Sequence, residues 1–109
     1  MTLANPSEKI NTFHVGDILV SMWGYDQTNV DFRIVTRVTN STVRSVAIGA
    51  TIKDIHTPMS GTVVANPDIR GEKETTSRIL RQPGLLKAPH GHAYMREWDG
   101  KPVAFSTWA

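Results

Sequence analysis

Apolar and polar positions along this chain alternate with the two-residue period of β-strands, and no segment sustains the 3.6-residue period of a helix. The run FHVGDILVSMW sets Val15, Leu19 and Trp23 on one side and Ile18, Val20 and Met22 on the other. That imperfect, double-sided alternation suits a strand buried on both faces at one end, with a central place in its sheet open to it. VDFRIVTRV is cleaner: Val30, Phe32, Ile34 and Val38 share one face while Asp31, Arg33 and Arg37 share the opposite one, as in a half-buried strand. Thr39-Asn40-Ser41 is turn chemistry, so this strand and the following TVRSVAIGA are expected to form an antiparallel hairpin, with TIKDIH prolonging the run past a bend at Gly49. TPMSGTVVANPDIRG surrounds Val63-Val64 with two prolines and two glycines and reads as loop, short strand, loop. EKETTSRILRQ fits either helix or strand, and its two threonines with the breakers Gly71 and Pro83-Gly84 around it favour strand.

At the C-terminal end, HAYMREW and KPVAFSTW flank Asp99-Gly100, a dipeptide that accepts the positive φ angles of a type I′ turn. A hairpin is expected, with Tyr94 opposite Phe105, Arg96 opposite Val103 and Trp98 opposite Lys101. Pro102 lacks an N–H and marks an edge or a bulge. Six or seven short antiparallel strands between Gly/Pro turns indicate an all-β fold, a small barrel or sandwich. Strand, long polar loop, strand, short turn, strand is also the order of an SH3-like barrel, the architecture expected here by analogy.

The chain's 109 residues suit one domain. Met1 to Asn11 are polar and read as a flexible arm, leaving 12–109 as a single barrel domain. With no cysteine, disulfides and thiolate zinc sites are excluded. Neither a leader-like segment nor a membrane-length apolar run is present, so a cytoplasmic location without membrane contact is the expectation. Twelve basic against ten acidic residues leave a net charge of +2. Nucleic-acid binding therefore has to come from a local patch.

Candidate chemistry concentrates in WGYDQTNVDF. Trp23 and Tyr25 offer aromatic faces, Gln27 and Asn29 offer donors and acceptors, and Asp26 and Asp31 are suited to structuring the loop through their own backbone. Arg33 and Arg37 fall on one strand face, where Arg44 can join them from the partner strand; Arg78 and Arg81 form a second basic pair. Arginines that neutralise phosphates beside aromatics that stack bases are what single-strand binders use. An ordinary solvated face with cross-strand charge pairs accounts for the same residues. His56, His90 and His92, with Asp26 or Asp54, match no metal-ligand spacing, and no metal or cofactor is expected. Without a G-x-S-x-G elbow, an H-E-x-x-H helix or a phosphate-binding glycine loop, the chain does not read as an enzyme.

GDILVSMWGYDQTNVDFRIV and the later WDGKPVAFSTWA, with GTVVANP between them, resemble a family of small uncharacterised proteins of bacteriophages and other mobile elements. The chain departs from that family's pattern at Met22 and Arg33, where the family carries a small residue and an aromatic. The resemblance implies an origin in such an element, and thus the cytoplasm of a bacterial host. The reading is a non-enzymatic binding module that contacts nucleic acid through Trp23, Tyr25, Gln27, Asn29, Arg33, Arg37 and Arg44. Its rival is a module that engages or inhibits a host protein. A third reading is a small metal-dependent hydrolase built on Asp26, Asp31 and a histidine.

Overall fold

The computed structural model describes residues 13–24, 27–82, 84–88 and 94–106. Among them there is no helix, and therefore none long and apolar enough to cross a membrane. Seven strands form one antiparallel sheet: β1 (Ile18–Trp23), β2 (Asn29–Val38), β3 (Thr42–Thr57), β4 (Ser60–Arg78), β5 (Leu86–Lys87), β6 (Tyr94–Glu97) and β7 (Val103–Ser106). Their spatial order is β5-β6-β1-β2-β3-β4-β7. Among the described residues the ladder stays open between β5 and β7, so the closed SH3-like barrel expected from the sequence is not the sheet observed. Two single bridges, Ile79 to Leu86 and Thr28 to Ser106, tie the edge strands back toward the interior.

The alternation read from β1 holds at its Ile18–Ser21 end, while Val15, Met22 and Trp23 are exposed. Leu19 enters one core cluster with Phe13, Val35, Val43, Ile79, Leu86, Ala88 and Met95. Ile18 and Val20 enter a second cluster with Phe32, Ile48 and Val63, against which Trp98, Val103 and Phe105 pack. The central strands thus bury apolar side chains on both faces, as a strand with neighbours on both sides does. A T-shaped contact of Phe32 with Trp98, centroids 5.3 Å apart, closes the second cluster.

The β2–β3 hairpin also forms as its turn residues suggest. Thr39 N–H donates to Thr42 O, and Thr39 Oγ1 accepts from the N–H groups of Ser41 and Thr42, which pins the reversal. One feature of β2 changes its faces. The register shifts between Val35 and Arg37, leaving Thr36 as an extra residue. Val38 consequently packs with the first cluster rather than with Phe32 and Ile34. A bulge of one residue inverts the parity of everything beyond it.

β4 is not the loop, short strand, loop of the sequence pattern but a continuous 19-residue strand. Between the pairs Ile48–Arg70 and Gly49–Asn66, residues Pro67, Asp68 and Ile69 bulge out of the ladder. Pro67 has no N–H to donate, and the bulge asks none of it. Asn66 Oδ1 accepts from Asp68 N–H, and the Ile69 side chain lies where a β-carbon on Gly49 would stand.

The C-terminal hairpin does not form. β6 pairs with β1 and β5, whereas β7 crosses to pair with β4. Trp98 explains the divergence: its N–H donates to Ile18 O, its ring packs on Phe32, and its Nε1 donates to Lys101 O. A side chain folded into the second cluster cannot lie across a two-residue hairpin, and Pro102 removes the next ladder donor. Gly100 still turns the chain with φ +86°, and Asp99 Oδ1 accepts from Lys101 N–H.

Candidate functional site

The residues proposed from the sequence divide into three groups. Tyr25 and Asp26 lie outside the described residues, as do His90 and His92 and the N-terminal arm. Trp23, Gln27, Asn29 and Asp31 belong to the β1–β2 connection. Trp23 Nε1 donates to Asp31 Oδ2 at 2.6 Å, and Gln27 Nε2 donates to Asn29 Oδ1 at 3.3 Å. The loop is closed in part by its own polar groups. Trp23 nonetheless keeps 41% of its surface exposed. Gly24 holds the entry with φ +131°, and a β-carbon there would strike Gln27 O. Thr28 is anchored to β7 by paired backbone bonds with Ser106 and by Ser106 Oγ.

The arginines do not form the single stripe expected. Arg33 shares its face with Val35, and its guanidinium is locked to neighbouring strands: Nε donates to Ser45 Oγ at 2.8 Å, and Nη2 to Ser45 O at 2.9 Å and Thr75 Oγ1 at 2.7 Å. Burial pushes its pKa below the ordinary arginine value, Asp31 opposing the shift, and the group stays charged at neutral pH. The bulge at Thr36 then carries Arg37 to the opposite face. There it stands directly opposite Arg44 in the β2–β3 register. Arg78, opposite Thr42 on β4, falls on this same face, diagonal to Arg44 and roughly 7–8 Å away by strand geometry.

Arg37, Arg44 and Arg78 are exposed and make a compact basic patch beyond the edge of the second cluster. Its counter-charge is Glu74, which accepts from Arg44 Nη1 at 3.4 Å and from the Thr36 hydroxyl. Among the described residues neither Arg37 nor Arg78 has an ion-pair partner. The threonines Thr42 and Thr76 share the face as neutral hydroxyl donors. Loop and patch sit far apart, because Asn29 and Arg37 mark opposite ends of β2, on the order of 25 Å at strand rise. The patch can neutralise phosphates, but Trp23 does not stack what it holds.

Arg78 joins the patch where sequence reasoning had put Arg33. The hairpin offset that pairs Thr42 with Arg78 depends on four irregularities along β3 and β4, and no local signal carries it. Ser45 and Thr75, the acceptors that hold Arg33, were equally silent. The described residues contain no group of three or more His, Cys, Asp or Glu side chains placed to hold a metal. Comparison of the chain with protein-family models, with curated proteins and with solved structures finds no match.

Proposed function

We propose that this protein is a non-enzymatic binding module that contacts the phosphates of single-stranded nucleic acid through Arg37, Arg44 and Arg78. The observation that carries the reading is the Arg37–Arg44 pair, two like charges directly opposite on an exposed sheet face. Such a pair costs stability by itself, and a polyanion laid across it converts the repulsion into attraction. Thr42 and Thr76 supply hydrogen bonds to phosphate oxygens, which position a strand without reading its sequence. In this reading the β1–β2 loop is scaffold, and Arg33 braces β2 against β3 and β4. The resemblance of WGYDQTNVDF and WDGKP to phage proteins supports an origin in a phage or mobile element and action in the host cytoplasm.

Fluorescence anisotropy with a labelled oligouridine tests it: the wild-type chain binds, and Arg37→Ala combined with Arg44→Ala abolishes binding without loss of fold. Equal binding by the double variant sinks the reading.

A second reading, engagement of a host protein, has an observation of its own. Past Ile48, β3 has no partner on its β2 side among the described residues, and it exposes Ile52 and Ile55 there. Gly49 to Arg70 carries Lys53 and Arg70 against Asp54 and Asp68, so this arm has no net charge with which to draw phosphate. Binding through the arm survives moderate salt and is lost in Ile52→Asp with Ile55→Asp.

A further inference from the structure

A cavity of about 370 Å³ opens on the face of the second core cluster, between β1, β6, the turn at Asp99–Lys101 and β7. We propose that it binds a small carboxylic acid with an apolar body, the carboxylate on Arg96 and the hydrocarbon on the cluster.

The apolar part of the lining is continuous with the core. Val20 is 5% exposed and belongs to the second cluster, and Val103 and Trp98 pack against it. Met22 lies two residues beyond Val20 on the same face of β1 and is 45% exposed, an unbranched side chain able to follow the shape of what covers it. Pro102 adds a further apolar surface. A hydrocarbon body resting on these groups leaves water on several sides at once, as ligands in concave sites do. Trp98 also fixes the cavity's shape, since its ring is held on Phe32 and its Nε1 donates to Lys101 O across the turn. Little ordering is left for a ligand to impose.

Arg96 sets the charge of what fits. It stands directly opposite Val20 in the β1–β6 register, so its side chain leaves β6 on the face of the cavity. It is exposed, and among the described residues no acid forms an ion pair with it. A guanidinium offers a carboxylate two parallel N–H donors. Lys101 borders the same cavity as a second cation. Two acids border it as well. Glu97 stands opposite Leu19, a member of the first cluster, and so leaves β6 on the other face. Asp99 remains, with one carboxylate oxygen accepting from the Lys101 N–H of its own turn. Two cations therefore meet one acid, a balance that admits a single negative charge and disfavours the roughly −2 of a phosphate monoester.

Free aliphatic acids and the C-terminal residue of a peptide share this chemistry, and two probes separate them. Titration of the full ¹⁵N-labelled chain with hexanoate and, separately, with N-acetylleucine is followed by the chemical shifts of the Val20, Met22 and Val103 amides and of the Trp98 indole N–H. Saturable shifts at these groups are expected from at least one probe, at millimolar concentration. Hexanamide and N-acetylleucinamide, which lack the charge, and acetate, which lacks the body, are expected to bind at least several-fold more weakly. Arg96→Gln, a change at an exposed side chain, weakens the better probe several-fold while the fold is retained.

Four results overturn the proposal: no saturable shift at these groups from either probe, equal affinity for the uncharged amide of the better probe, equal affinity for acetate, or an Arg96→Gln chain that binds the better probe as the wild type does. Binding of oligouridine at the arginine patch stands or falls independently, since none of these residues belongs to it.

Discussion

Replacing Arg37 by Glu has an outcome that separates the two costs and benefits of the basic patch. Arg37 and Arg44 are directly opposed on β2 and β3, and the only acid that reaches them is Glu74, 3.4 Å from Arg44 among the described residues. Cross-strand pairs of charge contribute about 0.2–1 kcal/mol, with like charges destabilising on that scale. Arg37→Glu turns a repulsive pair into an attractive one, although Glu74 already takes part of Arg44's charge. The net gain is about 0.5–1 kcal/mol. For a domain of this size that raises Tm by roughly 2–6 °C. Thermal unfolding followed by circular dichroism at low salt measures it, and the gain shrinks near 1 M salt, where the screening length falls to about 3 Å. The same variant loses oligouridine binding. A stabilised fold with lost binding is the signature of a residue kept for its ligand. Should Arg37→Glu lower Tm at low salt, the register that opposes it to Arg44 would be refuted.

Other substitutions examine the frame that positions the patch. Ser45→Ala leaves a buried donor on Arg33 without its acceptor and costs about 1–3 kcal/mol by chemical denaturation, because Ser45 is fully buried beneath the guanidinium. Phe32→Ala removes the ring that joins the second cluster to Trp98 and costs about 3–5 kcal/mol, read as a lower denaturation midpoint at unchanged slope. Gly24→Ala places a β-carbon against Gln27 O at a φ that only glycine tolerates, and a cost of about 1–3 kcal/mol is expected from thermal melts. An outcome near zero for any of these would place its local geometry in error.

The strand content and the hairpin at Thr39–Ser41 were legible because alternation and turn chemistry are local signals, and the double-sided burial of β1 followed from Leu19 and Val20 falling on opposite parities. The arginine stripe was misread for a single residue. Nothing about Thr36 announces a bulge, yet its presence moves Arg37 and Val38 to the faces opposite those that strict alternation assigns. The C-terminal hairpin failed for a different reason. Asp-Gly does turn the chain, but Trp98 is worth more buried against Phe32 than paired across from Lys101, and tertiary packing decided which strands β6 and β7 would join. The long β4 was hidden by its own punctuation, since Pro67 and Gly71 read as breakers and sit instead within or beside a bulge that has no need of their ladder bonds. Arg78 entered the site through a pairing offset that accumulates over the whole β3–β4 hairpin, which is beyond the reach of any short window.

The most direct measurement of the phosphate-contact claim is the salt dependence of oligouridine affinity. Three arginines at about 0.7 counterion each give a slope of roughly −2 for log K against log salt, and removing Arg78 alone brings it to roughly −1.4. A slope indistinguishable from zero, or no binding at ~50 mM salt, would contradict the account.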